Sequence, residues 1–311
     1  MDKELKLDII CGDALEELKK IKDESIDLIV TDPPYNLNKD YGNNDDKLEF
    51  NEYMEFSRRW LKECKRILKK NGTIYVFMGM RYISYIYMIL EQELDFNFNS
   101  WITWHYTQGI GKTKGFSPRH DDILMFTKSN KYVFNLDCVR VPQKYYRSVN
   151  NMRGANPGNV WEFSHMHYCN KNRENHPTQK PEGLYERMIL ASSNEGDTVL
   201  DPFSGSGTAL RVCQNLNRNC IGIELNPEYV EMTKERLEKE FNGFDSIDER
   251  MERVPNDLND EKVRNEYIEN HKVWFLKNHE SSLKDFLNSV IEKYGKIKDV
   301  NKQVTLFDND K

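Results

Sequence analysis

The sequence predicts an α/β protein built on a doubly wound, mostly parallel sheet, and three observations carry that expectation. Short β-branched runs alternate with amphipathic helical stretches, the pattern of strand–helix–strand units. Two of those runs end in turns that no strand can continue through, Thr31-Asp32-Pro33-Pro34-Tyr35 and Asp201-Pro202-Phe203-Ser204-Gly205-Ser206-Gly207-Thr208. The alternation stops near Trp101 and resumes near Pro181, so an inserted region interrupts the sheet.

Leu7–Cys11 reads as the first strand, closed by Gly12-Asp13. Leu15, Leu18 and Ile21 recur every three residues and predict a helix. Ile26–Val30 is a buried strand that ends at the Pro-Pro turn, and Glu52–Leu68 is a helix stopped by the C-cap signal Asn71-Gly72. A strand over Thr73–Met78 and a helix over Tyr82–Leu94 follow. Trp101–Tyr106, Ile123–Thr127 and Tyr132–Asn135 read as strand pieces, and the Trp101, Trp104 and Tyr106 rings as mainly sheet core. Val141–Asn175 has almost no periodicity, a length of chain that compact domains keep for function. Helices at Pro181–Ser192, Thr208–Leu216 and Pro227–Glu240 then flank strands at Thr198–Leu200 and Cys220–Ile223. The charge-rich remainder reads as helical around Glu261–Leu276 and Ser281–Tyr294.

Composition excludes several classes. The 311 residues are 38% hydrophobic and 31% charged, with no apolar run long enough for a transmembrane helix. The first ten residues lack a basic segment followed by an apolar one, so a cytoplasmic protein is expected. Six cysteines without a C-x-x-C pair argue against a zinc ribbon, a disulfide scaffold or a thioredoxin motif. The net charge of −6 speaks at first against a nucleic-acid partner. Between His105 and Lys180, however, 12 Lys and Arg face 5 Asp and Glu, a balance of +7 that leaves −13 for the rest. One basic segment in an acidic chain is what a single polyanion-binding face requires, and its affinity should weaken with salt.

The chemistry is concentrated in the two turns. Asp201–Thr208 follows a strand and opens a helix, so its glycines let the backbone approach a ligand and the helix N-terminus favours an anion. The next strand ends in Gly222-Ile223-Glu224, an acid placed to bind ribose hydroxyls. Together they indicate an adenosine-containing cofactor. In Thr31–Tyr35, a carboxylate at Asp32 and the Pro33 carbonyl can both accept from the NH₂ of a nucleobase. That would aim a lone pair otherwise delocalised into the ring. Tyr35 offers a flat face for an extruded base.

Asp32-Pro33-Pro34-Tyr35 and Asp201–Thr208 resemble motifs IV and I of the amino-methyltransferases that modify adenine N6 or cytosine N4 in DNA. Motif IV preceding motif I is the circular order of the β group, which includes many restriction–modification enzymes. His176-Pro177-Thr178-Gln179-Lys180-Pro181 resembles motif X, Cys11-Gly12-Asp13-Ala14 matches an acid that contacts the cofactor adenine, and Glu224 matches the acid of motif II. The similarity covers roughly residues 5–240.

The resemblance implies a class I S-adenosylmethionine-dependent methyltransferase fold with a seven-stranded sheet, in which the Asp201 strand lies beside the Asp32 strand. It implies a cofactor site made by Asp13, Ala14, Asp32, Thr178, Lys180, Asp201, Phe203, Ser204, Gly205, Gly207, Thr208, Glu224 and Asn226. Catalysis would fall to Asp32, Pro33, Pro34 and Tyr35, on a base flipped out of double-stranded DNA, with no metal. Asp at position 32 goes in the family more often with adenine, and Ser with cytosine. A homodimer is implied as well. Residues 1–130 and 176–240 would be catalytic, 131–175 the target-recognition region, and 241–311 a helical extension. Lys112, Lys114, Arg119, Arg140, Lys144, Arg147, Arg153, Lys171 and Arg173 are the candidate DNA contacts.

Other signals are weaker. Gly111-Lys112-Thr113 looks like the end of a P-loop, but Tyr106 stands where the first glycine belongs, so a basic loop near DNA is expected instead. His165, His167 and Cys169 could hold zinc, although their spacing lacks a fourth ligand and reads rather as polar recognition surface. Gln303-Val304-Thr305-Leu306-Phe307 is similar to peptides that dock on the bacterial sliding clamp, or it packs on its own domain or on a dimer mate. The competing functions are cytosine-N4 or RNA base methylation, a non-catalytic DNA-binding partner subunit, and an oxidoreductase, for which Asp-Pro-Pro-Tyr has no role.

Overall fold

The computed structural model describes residues 5–37, 47–106, 111–141, 154–166, 173–244 and Lys262. The chain divides into two compact units, Met1–Asn135 with Gly158–Ile247, and Leu136–Pro157 with Asp248–Lys311. The stretch 131–175 is therefore not one body, since its two ends belong to the larger unit.

The larger unit holds an α/β sheet. In chain order its elements are β1 (Leu7–Cys11), α1 (Ala14–Lys20), β2 (Ile26–Thr31), α2 (Phe50–Ile67), β3 (Leu68–Met78), α3 (Ile83–Met88), β4 (Asn97–His105) and β5 (His120–Thr127). Then follow β6 (Val160–Glu162), α4 (Glu182–Ser192), β7 (Thr198–Asp201), α5 (Thr208–Asn215), β8 (Asn219–Glu224) and α6 (Pro227–Glu238). The sheet order is β1-β8-β7-β2-β3-β5-β4-β6, and β5 alone runs against the others. β7 pairs with β2 through Leu28↔Val199 and Ile29↔Leu200, the adjacency expected of the Asp201 and Asp32 strands.

Leu28, Ile29 and Val30 are fully buried, as a strand covered on both faces demands. Trp60, Trp104, Tyr75, Phe77 and Phe126 fill the space between sheet and helices. Truncating Leu28, Ile29, Phe77 or Phe126 to alanine should cost about 2–5 kcal/mol. Helix α4 is buried at every residue, including Glu182, Glu186 and Arg187. Its charges are met internally. Glu182 pairs with Arg236 of α6 at 2.6 Å, and the Arg187 guanidinium lies over the rings of Trp161 (5.2 Å) and Phe163 (4.9 Å).

Four expectations need correction. Among the described residues the sheet has eight strands rather than seven. The additional one, β6, is three residues long and lies parallel to β4 at the edge, too short for its period to show in sequence. Tyr132–Asn135 is not a strand, because Asn135 turns inward, its backbone N–H on Ala191 O (2.6 Å) and its side-chain amide on Ser193 O (2.9 Å). Asn71-Gly72 does not cap α2, since β3 begins at once at Leu68. Gly72 is needed for space, because a Cβ there would stand 2.6 Å from the Leu68 side chain and 2.9 Å from Asp27 O. Tyr82–Leu94 is α-helical only to Met88 and continues as a π-helical turn over Ile89–Glu93, closed by Leu94 N–H on Ile89 O at 2.9 Å.

The smaller unit, among its described residues, carries a 3₁₀ turn at Leu136–Cys138 and an antiparallel bridge between Val141 and Ala155. Apart from Lys262, which is helical, the helices expected at 261–276 and 281–294 lie outside the described residues, as does Gln303–Phe307. No described helix is long and apolar enough to cross a membrane.

Candidate active site

The carboxyl ends of β1, β8, β7 and β2 frame a cavity of about 320 Å³. Parallel strands bring their C-terminal loops to one edge, so residues far apart in sequence meet there. Asp13, Ala14, Asp32, Pro34, Thr178, Lys180, Phe203, Ser204, Gly205, Thr208 and Glu224 line it as the sequence suggests. Pro33, Tyr35, Asp201, Gly207 and Asn226 are not part of that lining.

The turn after β7 is fixed by its main chain. Ser204 N–H donates to Ile223 O (2.9 Å), Gly205 N–H to the Glu224 carboxylate (2.8 Å), and Gly207 N–H to Ser204 O (2.9 Å). Gly205 and Gly207 have φ of +52° and +73°, a region that side chains disfavour. A Cβ at Gly207 would also approach Thr233 to 2.3 Å, and one at Gly205 would approach His176 Nε2 to 3.0 Å. From below, Arg236 donates to Ser206 O (2.8 Å) and Thr208 Oγ1 (3.1 Å) while paired with Glu182. Trp60 and Phe56 of α2 pack against Phe203, with ring centroids 5.5 and 6.0 Å away.

Acids dominate the electrostatics. Burial raises the Asp201 carboxyl well above the usual carboxylate range, opposed by the Phe203 N–H it accepts and reinforced by the charges of Asp32 and Glu224. Burial also raises Glu224, against the hydrogen bonds it accepts from the backbone of Asn226 and Gly205. Asp13 caps α1 through Leu15 N–H (2.8 Å) and Glu16 N–H (3.3 Å). The cation among these acids is Lys180, whose Nζ forms an ion pair with Asp32 and lies over the rings of Tyr35 (5.3 Å) and Phe77 (5.5 Å). His176 is pushed down to about 4, by burial first and by the charges of Lys180, Arg173 and Arg236 against that of Asp32. It therefore stays neutral and accepts from Thr178 N–H at Nδ1 (3.3 Å).

The loop after β2 is held from outside. Tyr53 of α2 donates its hydroxyl to Pro34 O (2.8 Å), and Asn36 at φ +55° donates to Leu48 O (2.9 Å) and Tyr82 Oη (3.1 Å). Tyr35 is buried, with its phenol raised well above the usual range by burial and then by Asp32 and Asp121. Stacking on a base therefore requires its covered face to open. Asp32 Oδ1 is buried without a hydrogen-bond partner, as is Ser204 Oγ. Buried polar atoms left in this way are expected where a ligand completes the set.

A model of the DNA methylase family, N6_N4_Mtase, matches residues 26–235, from β2 through α6 and across both turns. The chain belongs to this family. The type II methyltransferase M.HpaI of Haemophilus parainfluenzae is 71% identical over 93% of this chain and 92% of that protein. The DNA adenine methyltransferase YhdJ of Escherichia coli is 41% identical over 74% of this chain and 82% of that protein. Among solved structures, the M1.HpyAVI complex with S-adenosylmethionine superposes at a TM-score of 0.56, with 28% identity, 75% of this chain and all of that one covered. The cytosine-N4-specific PvuII DNA methyltransferase superposes at 0.62 with 22% identity over 85% of this chain and 91% of that one, and shows the fold alone.

This methylase is an S-adenosylmethionine-dependent DNA methyltransferase of the restriction–modification kind. The cavity fits the cofactor. It has a turn whose Gly205 lines it without a side chain, two unpartnered buried oxygens, acids for hydroxyl or amino groups, and Lys180 for a carboxylate.

Sequence reasoning missed several lining residues. Tyr53 and Phe56 were legible only as the apolar stripe of α2, and Tyr229 only as part of α6. His176 and Gln179 stand in the recognised His-Pro-Thr-Gln-Lys-Pro segment but were given no role.

The DNA-contact candidates divide. Lys112 and Lys114 are exposed. Arg119 donates to Pro118 O (2.8 Å). Arg140 pairs with Asp137 (2.6 Å) and donates to Gly154 O (2.9 Å). Arg173 donates to Met166 O and His176 O (2.9 Å) and so ties down the segment before Lys180. Lys144, Arg147, Arg153 and Lys171 lie outside the described residues, as do His167 and Cys169 of the supposed zinc set. His165 packs on Trp104 and Tyr106, with centroids 4.8 and 4.0 Å apart, and no metal-holding group of His, Cys, Asp or Glu occurs among the described residues.

Proposed function

We propose that this enzyme methylates adenine N6 in double-stranded DNA, acting on a base extruded into the loop after β2. The observation that carries this reading is the β2–β7 pairing. It puts Asp32, with Oδ1 unpartnered, in one cavity with the Gly205–Gly207 turn. S-adenosylmethionine supplies an electrophilic methyl group when bound there. The acids of the cavity have separate tasks. Asp13 and Glu224 take the adenosine end, Asp201 braces the turn through Phe203 N–H, and Thr178, Lys180, Ser204, Thr208 and the 203–207 backbone take the amino-acid end. Ala14 and Asn226 shape the edges, Asn226 by capping α6 on Glu228 N–H (2.9 Å).

Asp32 and the Pro33 carbonyl accept from the two hydrogens of the target amine, fix its orientation and stabilise the positive charge that develops on nitrogen. Pro34 keeps the loop rigid, and Tyr35 stacks on the base once its face opens. Lys180 holds the Asp32 carboxylate in an ion pair until the amine arrives. The basic stretch 131–175 recognises the target sequence, and the exposed Lys112 and Lys114 take phosphates. Asp at position 32 and the 41% identity to an adenine methyltransferase support adenine over cytosine.

Nucleoside mass spectrometry on DNA from cells expressing the protein tests the reading. N6-methyladenine is the expected product, and N4-methylcytosine without it would replace the target base.

A further inference from the structure

We propose that Phe116, at the tip of the β4–β5 connection, is a wedge that enters the DNA base stack beside the target and fills the gap left by the extruded base. Lys112 and Lys114 then lie on the flanking phosphates. The inference rests on the proposed base extrusion. Strand polarity is the first argument. β3 runs parallel to β2, β5 against β3, and β4 against β5, so the His105 end of β4 points the same way as the Thr31 end of β2. The β4–β5 connection therefore leaves the sheet on the edge that carries Asp32 and Glu224.

Local geometry is the second. The neck of the connection is closed by Tyr106 N–H on Arg119 O at 2.9 Å, and its outer part by Lys112 N–H on Ser117 Oγ at 2.7 Å. Between them Gly115 turns the chain at φ +84°, in open space where packing makes no demand for glycine. Phe116 comes next and is 100% exposed, whereas Val160, the next most exposed large apolar residue among the described residues, is at 59%.

Single exposed hydrophobes are ordinary, so exposure alone names no partner. The surrounding charge does. From Tyr106 to His120 the sequence has Lys112, Lys114 and Arg119 and no Asp or Glu. An apolar ring bracketed by cations fits a stacked polyanion, where inserted side chains unstack a base step while basic neighbours hold the backbone. Extrusion leaves such a gap, and an aromatic ring filling it recovers stacking lost with the base.

Because Phe116 is wholly exposed, Phe116→Ala should leave thermal stability and S-adenosylmethionine affinity unchanged. The probe is a duplex carrying the site mapped by sequencing the methylated DNA, either fully paired or mismatched at the target base, which lowers the cost of extrusion. In single-turnover assays Phe116→Ala should slow methyl transfer by on the order of tenfold or more on the paired duplex and by less than about threefold on the mismatched one. Phe116→Trp should retain the rate on both. Equal loss on both duplexes, or no loss on the paired one, overturns the wedge. A wild-type enzyme that transfers no methyl group to the paired duplex contradicts the proposed function itself.

Discussion

The turn after β7 and the loop after β2 sit side by side on adjacent parallel strands, and they are held in different ways. In the turn, backbone N–H groups of Ser204, Gly205 and Gly207 are bonded, two glycines hold conformations that other residues resist, and a buried Arg236–Glu182 pair braces the outside. In the loop, the bracing reaches Pro34 and Asn36, while Asp32 is paired with Lys180 through one carboxylate oxygen and has the other without a hydrogen-bond partner. The difference separates two tasks. A cofactor that is the same in every turnover suits a prebuilt cradle, whereas a base that must arrive from a duplex needs acceptors left incomplete until it does. Changes in the turn should therefore be read mainly in stability, and changes in the loop mainly in rate.

The largest stability effect is expected at Arg236. Arg236→Ala leaves Glu182 charged and buried and releases Ser206 and Thr208, so denaturant unfolding should show a loss of about 3–5 kcal/mol. A loss below about 1 kcal/mol, the range of an exposed pair, would mean that this brace is not what holds the turn.

His176 sharpens the same point through pH. Its folded-state value of about 4 lies below the ordinary 6.5, so the unfolded chain takes up the proton first as the pH falls. The stability is complete above pH 6.5 and declines from there towards pH 4, by up to about 3 kcal/mol for a shift of this size. Replacing the imidazole by His176→Gln should flatten that part of the pH–stability curve. An unchanged slope would place the histidine in contact with water.

The smallest stability effect belongs to the loop. Tyr53→Phe removes the hydroxyl that bonds Pro34 O (2.8 Å) and reaches Met78 Sδ (3.6 Å), and should cost about 1 kcal/mol in stability. Its consequence should appear as a fall in kcat with KM for S-adenosylmethionine unchanged, because Tyr53 positions the loop. A change confined to KM would assign Tyr53 to the cofactor instead.

The sequence made the central strands and both turns legible because their signals are local: β-branched runs, Pro-Pro, and glycines placed where a strand gives way to a helix. The parts it hid depend on distant residues. β6 is only three residues long and exists by pairing with β4. Gly72 looked like a helix stop because its neighbours Leu68 and Asp27, which forbid a side chain there, meet it only after folding. Asn135 looked like the end of a strand, and is instead bonded to the end of α4. At the site, the motifs named Asp32, Lys180, Asp201 and Glu224. They did not reveal that Lys180 pairs with Asp32, or that Arg236, from a helix with no motif of its own, supports Ser206 and Thr208.

The account is tested most directly at Asp32, by single-turnover methyl transfer with saturating S-adenosylmethionine and DNA, comparing wild type with Asp32→Ala. If the carboxylate orients the target amine and stabilises its developing charge, the variant should lose on the order of 10²–10³ in rate while remaining folded. A variant that methylates DNA at the wild-type rate would contradict the assignment of the chemistry to the loop after β2.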